Sequence, residues 1–226
     1  MFESEEELRK VALPILTDKL THKDVHRREE FSYSGGRTDI VLSYVSDAYK
    51  RRRVRELGVD IPIENKKRLK IFLRLHKKDG YIQRDNFIEQ ISREPRKISN
   101  DLDWLIDHNF VIEDNGRIRT KPYLRRHITT SIAIELKLGK WQRAFRQALQ
   151  GRAYSEYQYV VLDESNIHRA LKDLSLFKKH EVGLISISKE GDFEHHYEPE
   201  KQSPYSELNV WRLNETTLLP SNTLGV

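Results

Sequence analysis

Ser131-Ile132-Ala133-Ile134-Glu135-Leu136-Lys137-Leu138 decides the fold. The run is apolar and of strand length, and Gly139 breaks it. A strand sends alternate side chains to opposite faces, so Glu135 and Lys137 lie beside each other on one face. A buried face does not tolerate unpaired charges, so the pair implies either a functional site or an ion pair at a sheet rim.

Downstream of this strand, Trp141 to Tyr154 reads as a helix with Ala144, Phe145, Ala148 and Leu149 on one face. Tyr157 to Leu162 reads as a strand, Asn166 to His180 as a helix and Glu181 to Ile187 as another strand. This alternation predicts an α/β fold. Residues 189–204 read as an irregular loop and Leu208 to Leu213 as a last edge strand. Upstream, Ser4 followed by three glutamates starts an amphipathic helix that runs to about Leu20. Asp24 to Tyr33 and Thr38 to Val45 read as strands joined at Ser34-Gly35-Gly36, and Asp39 interrupts the second.

The middle of the chain has a different character. Among 226 residues the formal net charge is +5, yet Lys50 to Arg126 carries 21 basic and 12 acidic residues, leaving the remainder net negative. Three segments follow: an α/β core of residues 1–49 and 128–226, a basic linker 50–62 and an inserted module 63–125. In the module, helices at 66–77 and 85–91 and a third with Ile98, Leu102, Leu105 and Ile106 at helical spacing precede a hairpin turned at Asn115-Gly116, the element order of a winged helix-turn-helix. The outward N-terminal residues of its third helix, Arg93, Arg96, Lys97, Ser99 and Asn100, are the expected base readers. Arg117 and Arg119 of the wing are expected near phosphate or the minor groove. Asp101, Asp103 and Asp107 on the same helix repel phosphate, so docking of a protein stays the alternative use of the module.

With 37% hydrophobic residues the chain can build a core, and with no cysteine it has neither disulfides, nor thiol catalysis, nor Cys-ligated zinc. The acidic N-terminus lacks a signal-peptide pattern, and no apolar run approaches the roughly 18 residues of a membrane span. The expectation is a soluble cytoplasmic protein. None of His26, His127, His168, His180, His195 and His196 has a ligand spacing that other residues support.

Two carboxylates converging on one point, Asp39 and Glu135, suit a hard divalent cation, and an adjacent lysine can orient or deprotonate an attacking water. This pattern resembles the PD-(D/E)XK nuclease superfamily, whose core runs helix, three strands, helix, strand, with an Asp in the second strand and Glu-x-Lys in the third. Asp39 and Glu135-Leu136-Lys137 match those motifs. The following helix offers Gln147 and Gln150, the latter in Gln150-Gly151-Arg152-Ala153-Tyr154, which is similar to the Gln-x-x-x-Tyr of one nuclease branch. The family often places a Glu in the opening helix, and Glu5, Glu6 and Glu7 all qualify. The resemblance covers residues 1–48 and 128 to about 190. Thr38 stands where the family has Pro, and about 85 residues separate the second and third strands, a gap that the insertion explains. Glu-x-Lys alone is a weak signal, since Glu64-Asn65-Lys66 is a second copy in a polar linker.

The resemblance implies a restriction-endonuclease-like mixed sheet flanked by helices, with an inserted winged-helix domain. It implies Mg²⁺ or Mn²⁺ held by Asp39, Glu135 and the Leu136 carbonyl, with Lys137 positioning water and Gln147 and Gln150 near the site. The implied activity is hydrolysis of phosphodiester bonds. The expected partner is nucleic acid, DNA in the first place, with no membrane contact, and a homodimer would suit an enzyme that cuts both strands. The competing reading is a non-catalytic DNA-binding regulator or adaptor in which the core is a scaffold or dimer interface.

Overall fold

Ser4 caps α1 (Glu5–Leu20), its hydroxyl accepting from Glu7 N at 3.1 Å while the Glu7 carboxylate accepts from Glu3 N at 2.7 Å. In this computed structural model residues 1–22, 24–33, 35–91 and 94–219 are described. The chain divides into two compact units, Met1–Val45 with Ile128–Val210 and Ser46–His127 with the segment from Trp211.

In the first unit α1 leads into β1 (His26–Tyr33) and β2 (Gly36–Val45). Before the chain returns to this unit it passes through α2 (Asp47–Arg51), α3 (Lys66–His76), β3 (Ile82–Gln83), α4 (Arg84–Ile91), α5 (Pro95–Asp107), β4 (Val111–Asp114) and β5 (Arg117–Thr120). The first unit resumes with β6 (Ile128–Lys137), α6 (Trp141–Gly151), β7 (Tyr157–Asp163), α7 (Ile167–Leu171), α8 (Leu174–Lys179), β8 (Gly183–Ile187) and β9 (Phe193–Tyr197). The last helix is α9 (Glu207–Thr216). The unit is α/β, built on a six-stranded mixed sheet in the order β1-β2-β6-β7-β8-β9 with helices on both faces. β6, β7 and β8 are parallel, and the other neighbours are antiparallel.

From Ser131 to Lys137 every residue of β6 is buried, as expected of a strand covered on both faces. On one face Leu8, Ala12 and Leu16 of α1 pack on Ile40, Leu42, Ile132, Ile134 and Val161. On the other, Trp141, Ala144, Phe145 and Ala148 of α6 pack on Val160 and Leu162, with Phe177 of α8 beside them.

Four features differ from the sequence-based expectation. Residues 193–197 form β9, paired antiparallel with β8, where a loop was expected. Residues 207–216 form a helix rather than an edge strand. The long helix expected over Asn166 to His180 is two short ones, α7 and α8. Of the segment expected to complete the core, residues 211–219 group with the second unit, and residues 220–226 lie outside the described residues.

That second unit combines α3, α4 and α5 with a three-stranded antiparallel sheet in the order β3-β5-β4. The Arg53 guanidinium, 1% exposed, holds Glu215 through bonds of 2.6 and 2.7 Å and also donates to the carbonyls of Val59 and Ile61. Ile63 N donates to the same carboxylate at 2.8 Å, and Trp211 packs edge-on against Phe72. These contacts anchor the C-terminal segment within the unit. Glu64-Asn65-Lys66, the second Glu-x-Lys, is the start of α3, where the Asn65 side chain caps the amides of Lys67 and Arg68.

Among the described residues no helix is long and apolar enough to cross a membrane.

Candidate functional site

The antiparallel register of β2 on β6 pairs Ile40 with Ile134, and one step further it sets Asp39 opposite Glu135. The Asp39 carboxylate accepts from Leu136 N at 2.8 Å and from Lys137 Nζ at 3.4 Å. Lys137 Nζ also donates to Glu5 at 3.0 Å and to the Leu136 carbonyl at 2.7 Å, which occupies all three of its N–H donors. Glu5 is therefore the opening-helix glutamate that reaches this point. Glu6 pairs with Arg9, and Glu7 pairs with Lys189 at 2.8 Å.

Glu135 stands apart. It is 1% exposed, and neither of its carboxylate oxygens makes a hydrogen bond of good geometry, although the Thr38 hydroxyl and the Asp39 carboxylate lie beside it. Lys137 reaches past it to Asp39 and Glu5, so the rim ion pair between Glu135 and Lys137 does not form at hydrogen-bonding distance. Burial, followed by the neighbouring Asp39 charge, pushes the Glu135 carboxyl from 4.5 up to about 8. The Thr38 hydroxyl and the Lys137 ammonium offset this only in part. Side-chain exposure rises from 8% at Lys137 to 26% at Asp39 and 53% at Glu5, so the site opens beside the start of α1.

An aromatic wall lines the other side. Tyr154 OH donates to Thr38 Oγ1 at 2.6 Å, and Tyr33 lies 5.0 Å from the Tyr154 ring. Burial and the charge of Glu135 raise the Tyr33 phenol to about 12, and burial holds Tyr154 well above its ordinary value. Thr38, next to Asp39 in sequence, therefore links the Tyr154 hydroxyl to the carboxylate strand. Sequence reading left out Tyr33 and did not choose Glu5. The only signal for the wall was Tyr154, at the end of the Gln-x-x-x-Tyr spacing.

Gln147 is partly buried with a buried, unpartnered Oε1. Gln150 is exposed, and its Oε1 lies 3.4 Å from the point a Cβ on Gly36 would occupy, beside the β1–β2 turn.

In the second unit the expected reading residues are divided. Arg96, Lys97 and Asn100 are exposed on α5, with Lys97 paired to Glu94 at 2.8 Å. Ser99 is engaged by Arg84, which also binds Asp103 and Glu113. Arg117 and Arg119 on β5 both lie over the Tyr81 ring. Arg93 lies outside the described residues.

Among the described residues no three His, Asp or Glu side chains converge as a ready-made metal cage. The donor set on offer is Asp39, Glu135 and the Leu136 carbonyl. The buried carboxylate without a hydrogen-bond donor fits a cation, because an ion is what a pair of unpartnered oxygens beside a second carboxylate lacks. With Glu135 ionised, Glu5, Asp39 and Glu135 against Lys137 leave a formal charge of −2, which one divalent ion balances. No protein-family model, no curated protein and no solved structure matches this chain.

Proposed function

We propose that the chain is a metal-dependent nuclease that hydrolyses phosphodiester bonds in DNA. The α/β unit would carry the chemistry, and the inserted unit, read as a winged helix, would hold nucleic acid. The observation that carries this reading is Glu135, buried beside Asp39 with both carboxylate oxygens unpartnered. The element order of the first unit, helix, hairpin, strand, helix, strand, supports the restriction-endonuclease-like assignment.

Asp39, Glu135 and the Leu136 carbonyl would hold Mg²⁺ or Mn²⁺. Such an ion, when bound, supplies charge stabilisation at the phosphate and eases deprotonation of a water. The remaining roles belong to the chain itself. Asp39 accepts from Leu136 N, which fixes its carboxylate against the end of β6. Lys137, steadied by Glu5 and Asp39, would hold a water in line with the phosphorus by exchanging its long 3.4 Å bond to Asp39 for one to the water. Glu5 is the most exposed of the group and faces the side from which a substrate arrives.

The test is incubation of the full chain with plasmid, linear duplex and single-stranded DNA, with and without Mg²⁺ or Mn²⁺. Metal-dependent cleavage is expected, with Asp39→Ala and Lys137→Ala each lowering the rate by about a thousandfold while DNA binding persists. Folded protein that cuts none of these substrates defeats the catalytic reading and leaves the regulator or adaptor.

A further inference from the structure

α6 carries its charges on one side. Lys140, Arg143, Gln147 and Gln150 follow one another at spacings of three and four residues, which places them on one helix stripe with Arg146 alongside. The opposite side of the helix, with Ala144, Phe145 and Ala148, is buried, and Phe145 packs 4.9 Å from Phe177 of α8. The stripe therefore faces away from α8. Its C-terminal end meets the β1–β2 turn, where Gln150 Oε1 would lie 3.4 Å from a Cβ on Gly36. Gly36 has a φ of +154° and precedes Asp39 by three positions on the same strand.

Lys140, Arg143 and Arg146 are exposed, and among the described residues none has a carboxylate within ion-pair distance. Some other cations of the unit are paired, Arg9 with Glu6 and Glu29, Arg37 with Glu30, Lys137 with Glu5 and Asp39, and Lys189 with Glu7, whereas the exposed Arg27, Arg169, Lys172, Lys178 and Lys179 also have no carboxylate within ion-pair distance among the described residues. What sets the three α6 cations apart is their place, on one side of a helix whose C-terminal end lies beside the β1–β2 turn that leads to Asp39. Two side-chain amides continue the line toward the carboxylates, and amides as well as cations donate to phosphate oxygens.

We propose that the outer stripe of α6 is a phosphate-binding track, on which Lys140, Arg143 and Arg146 hold a nucleic-acid backbone and Gln147 and Gln150 lead it toward Asp39 and Glu135. The inference rests on the nucleic-acid reading above and deepens it. The α/β unit grips its substrate with its own cations instead of relying on the inserted unit alone. The occupant is a polyanion because repeated negative charge is the complement of exposed cations spaced along one stripe.

The test measures binding of the full chain to fluorescent single-stranded and duplex DNA in EDTA, by anisotropy over a range of KCl concentrations. Arg143→Glu/Arg146→Glu is compared with Lys178→Glu/Lys179→Glu, a charge-matched change on the exposed side of α8. The track predicts that the α6 variant flattens the salt dependence by about 1 to 2 in log–log slope and weakens binding about tenfold or more at moderate salt. The α8 variant should show less than half of either effect. Equal effects from both variants, no effect from the α6 variant, or no DNA binding by the wild type would each overturn the track. Circular dichroism checks folding, and Arg143→Ala/Arg146→Ala replaces the reversal if the latter unfolds. Because the assay contains no divalent ion, it is independent of the nuclease reading. Loss of cleavage with an intact track removes the enzyme alone, whereas cleavage with equal effects from the two variants removes the track alone.

Discussion

Glu135→Gln tests whether the protein stores a buried carboxylate at a cost in stability. In the folded chain the group holds its proton up to about pH 8, against 4.5 for an unperturbed carboxyl. Between those values the folded state keeps a proton that the unfolded state has lost, so stability falls as pH rises, and the full cost applies above about pH 8. At about 1.4 kcal/mol per pH unit the interval is worth about 5 kcal/mol, of which local relaxation leaves about 2–3 kcal/mol. Glutamine has the same shape and no charge to bury. The variant should therefore match the wild type at about pH 4, pull ahead progressively above that, and melt about 10 °C higher near pH 9 in EDTA. Addition of Mg²⁺ near pH 9 should stabilise the wild type by about 3 kcal/mol at a hundredfold excess over Kd, seen as a higher melting temperature, and leave the glutamine variant where it was. Scanning calorimetry at several pH values, with and without the ion, reads both effects. Parallel pH profiles for the two proteins would refute the claim that Glu135 is buried without compensation.

The second unit makes its own predictions. Glu215→Ala leaves Arg53 charged, 1% exposed and without its carboxylate, so it should cost about 3–5 kcal/mol in that unit's unfolding, measured by urea denaturation followed through Trp104 and Trp211. A cost below about 1 kcal/mol would mean that Arg53 is held by the Val59 and Ile61 carbonyls alone. Arg117→Ala/Arg119→Ala should reduce the salt slope of DNA binding by up to about 2, and an unchanged slope would take the wing away from phosphate.

The parts of the fold that could be read from sequence are those whose partners lie nearby or whose pattern is periodic. α1, β1, β2, β6 and α6 declare themselves through capping, alternation or helical spacing. α9 did not. Its Val210, Trp211 and Leu213 have the composition of a strand, and the helix is held by pairings that no local pattern reveals. Asn214 accepts from His127 N and Glu215 binds Arg53, 162 residues away in sequence. β9 was equally hidden, because an edge strand of Phe193-Glu194-His195-His196-Tyr197 lacks the apolar alternation of a core strand and is defined by its pairing with β8. At the site, the sequence offered the carboxylates and the lysine but not their division of labour. Alternation puts Glu135 and Lys137 on one face, yet only the length of the lysine side chain decides that it bonds to Asp39 and Glu5 and leaves Glu135 alone.

The long interruption between the two motif strands is harmless for a reason that lies in the sheet. The last residue of the first unit before the insertion, Val45, pairs with the first residue after it, Ile128, and at the ends of the inserted segment Ser46 N donates to the His127 carbonyl at 2.7 Å. The inserted segment thus leaves and returns through hydrogen-bonded neighbours, so its length adds only a logarithmic entropy cost to closing β2 on β6. The bulge between Tyr44 and Val45 absorbs the irregularity of that junction at the end of the ladder away from the site. From Tyr44–Thr130 to Ile40–Ile134 the register is unbroken, and it alone determines that Asp39 arrives opposite Glu135. A slip of one residue would turn Asp39 to the face packed by α1 and bring Ile40 to the charged side. The apolar cores on both faces forbid that slip. The juxtaposition of the two carboxylates is therefore enforced by Ile40, Leu42, Ile132 and Ile134, whose burial on the opposite face has no tolerance for another register.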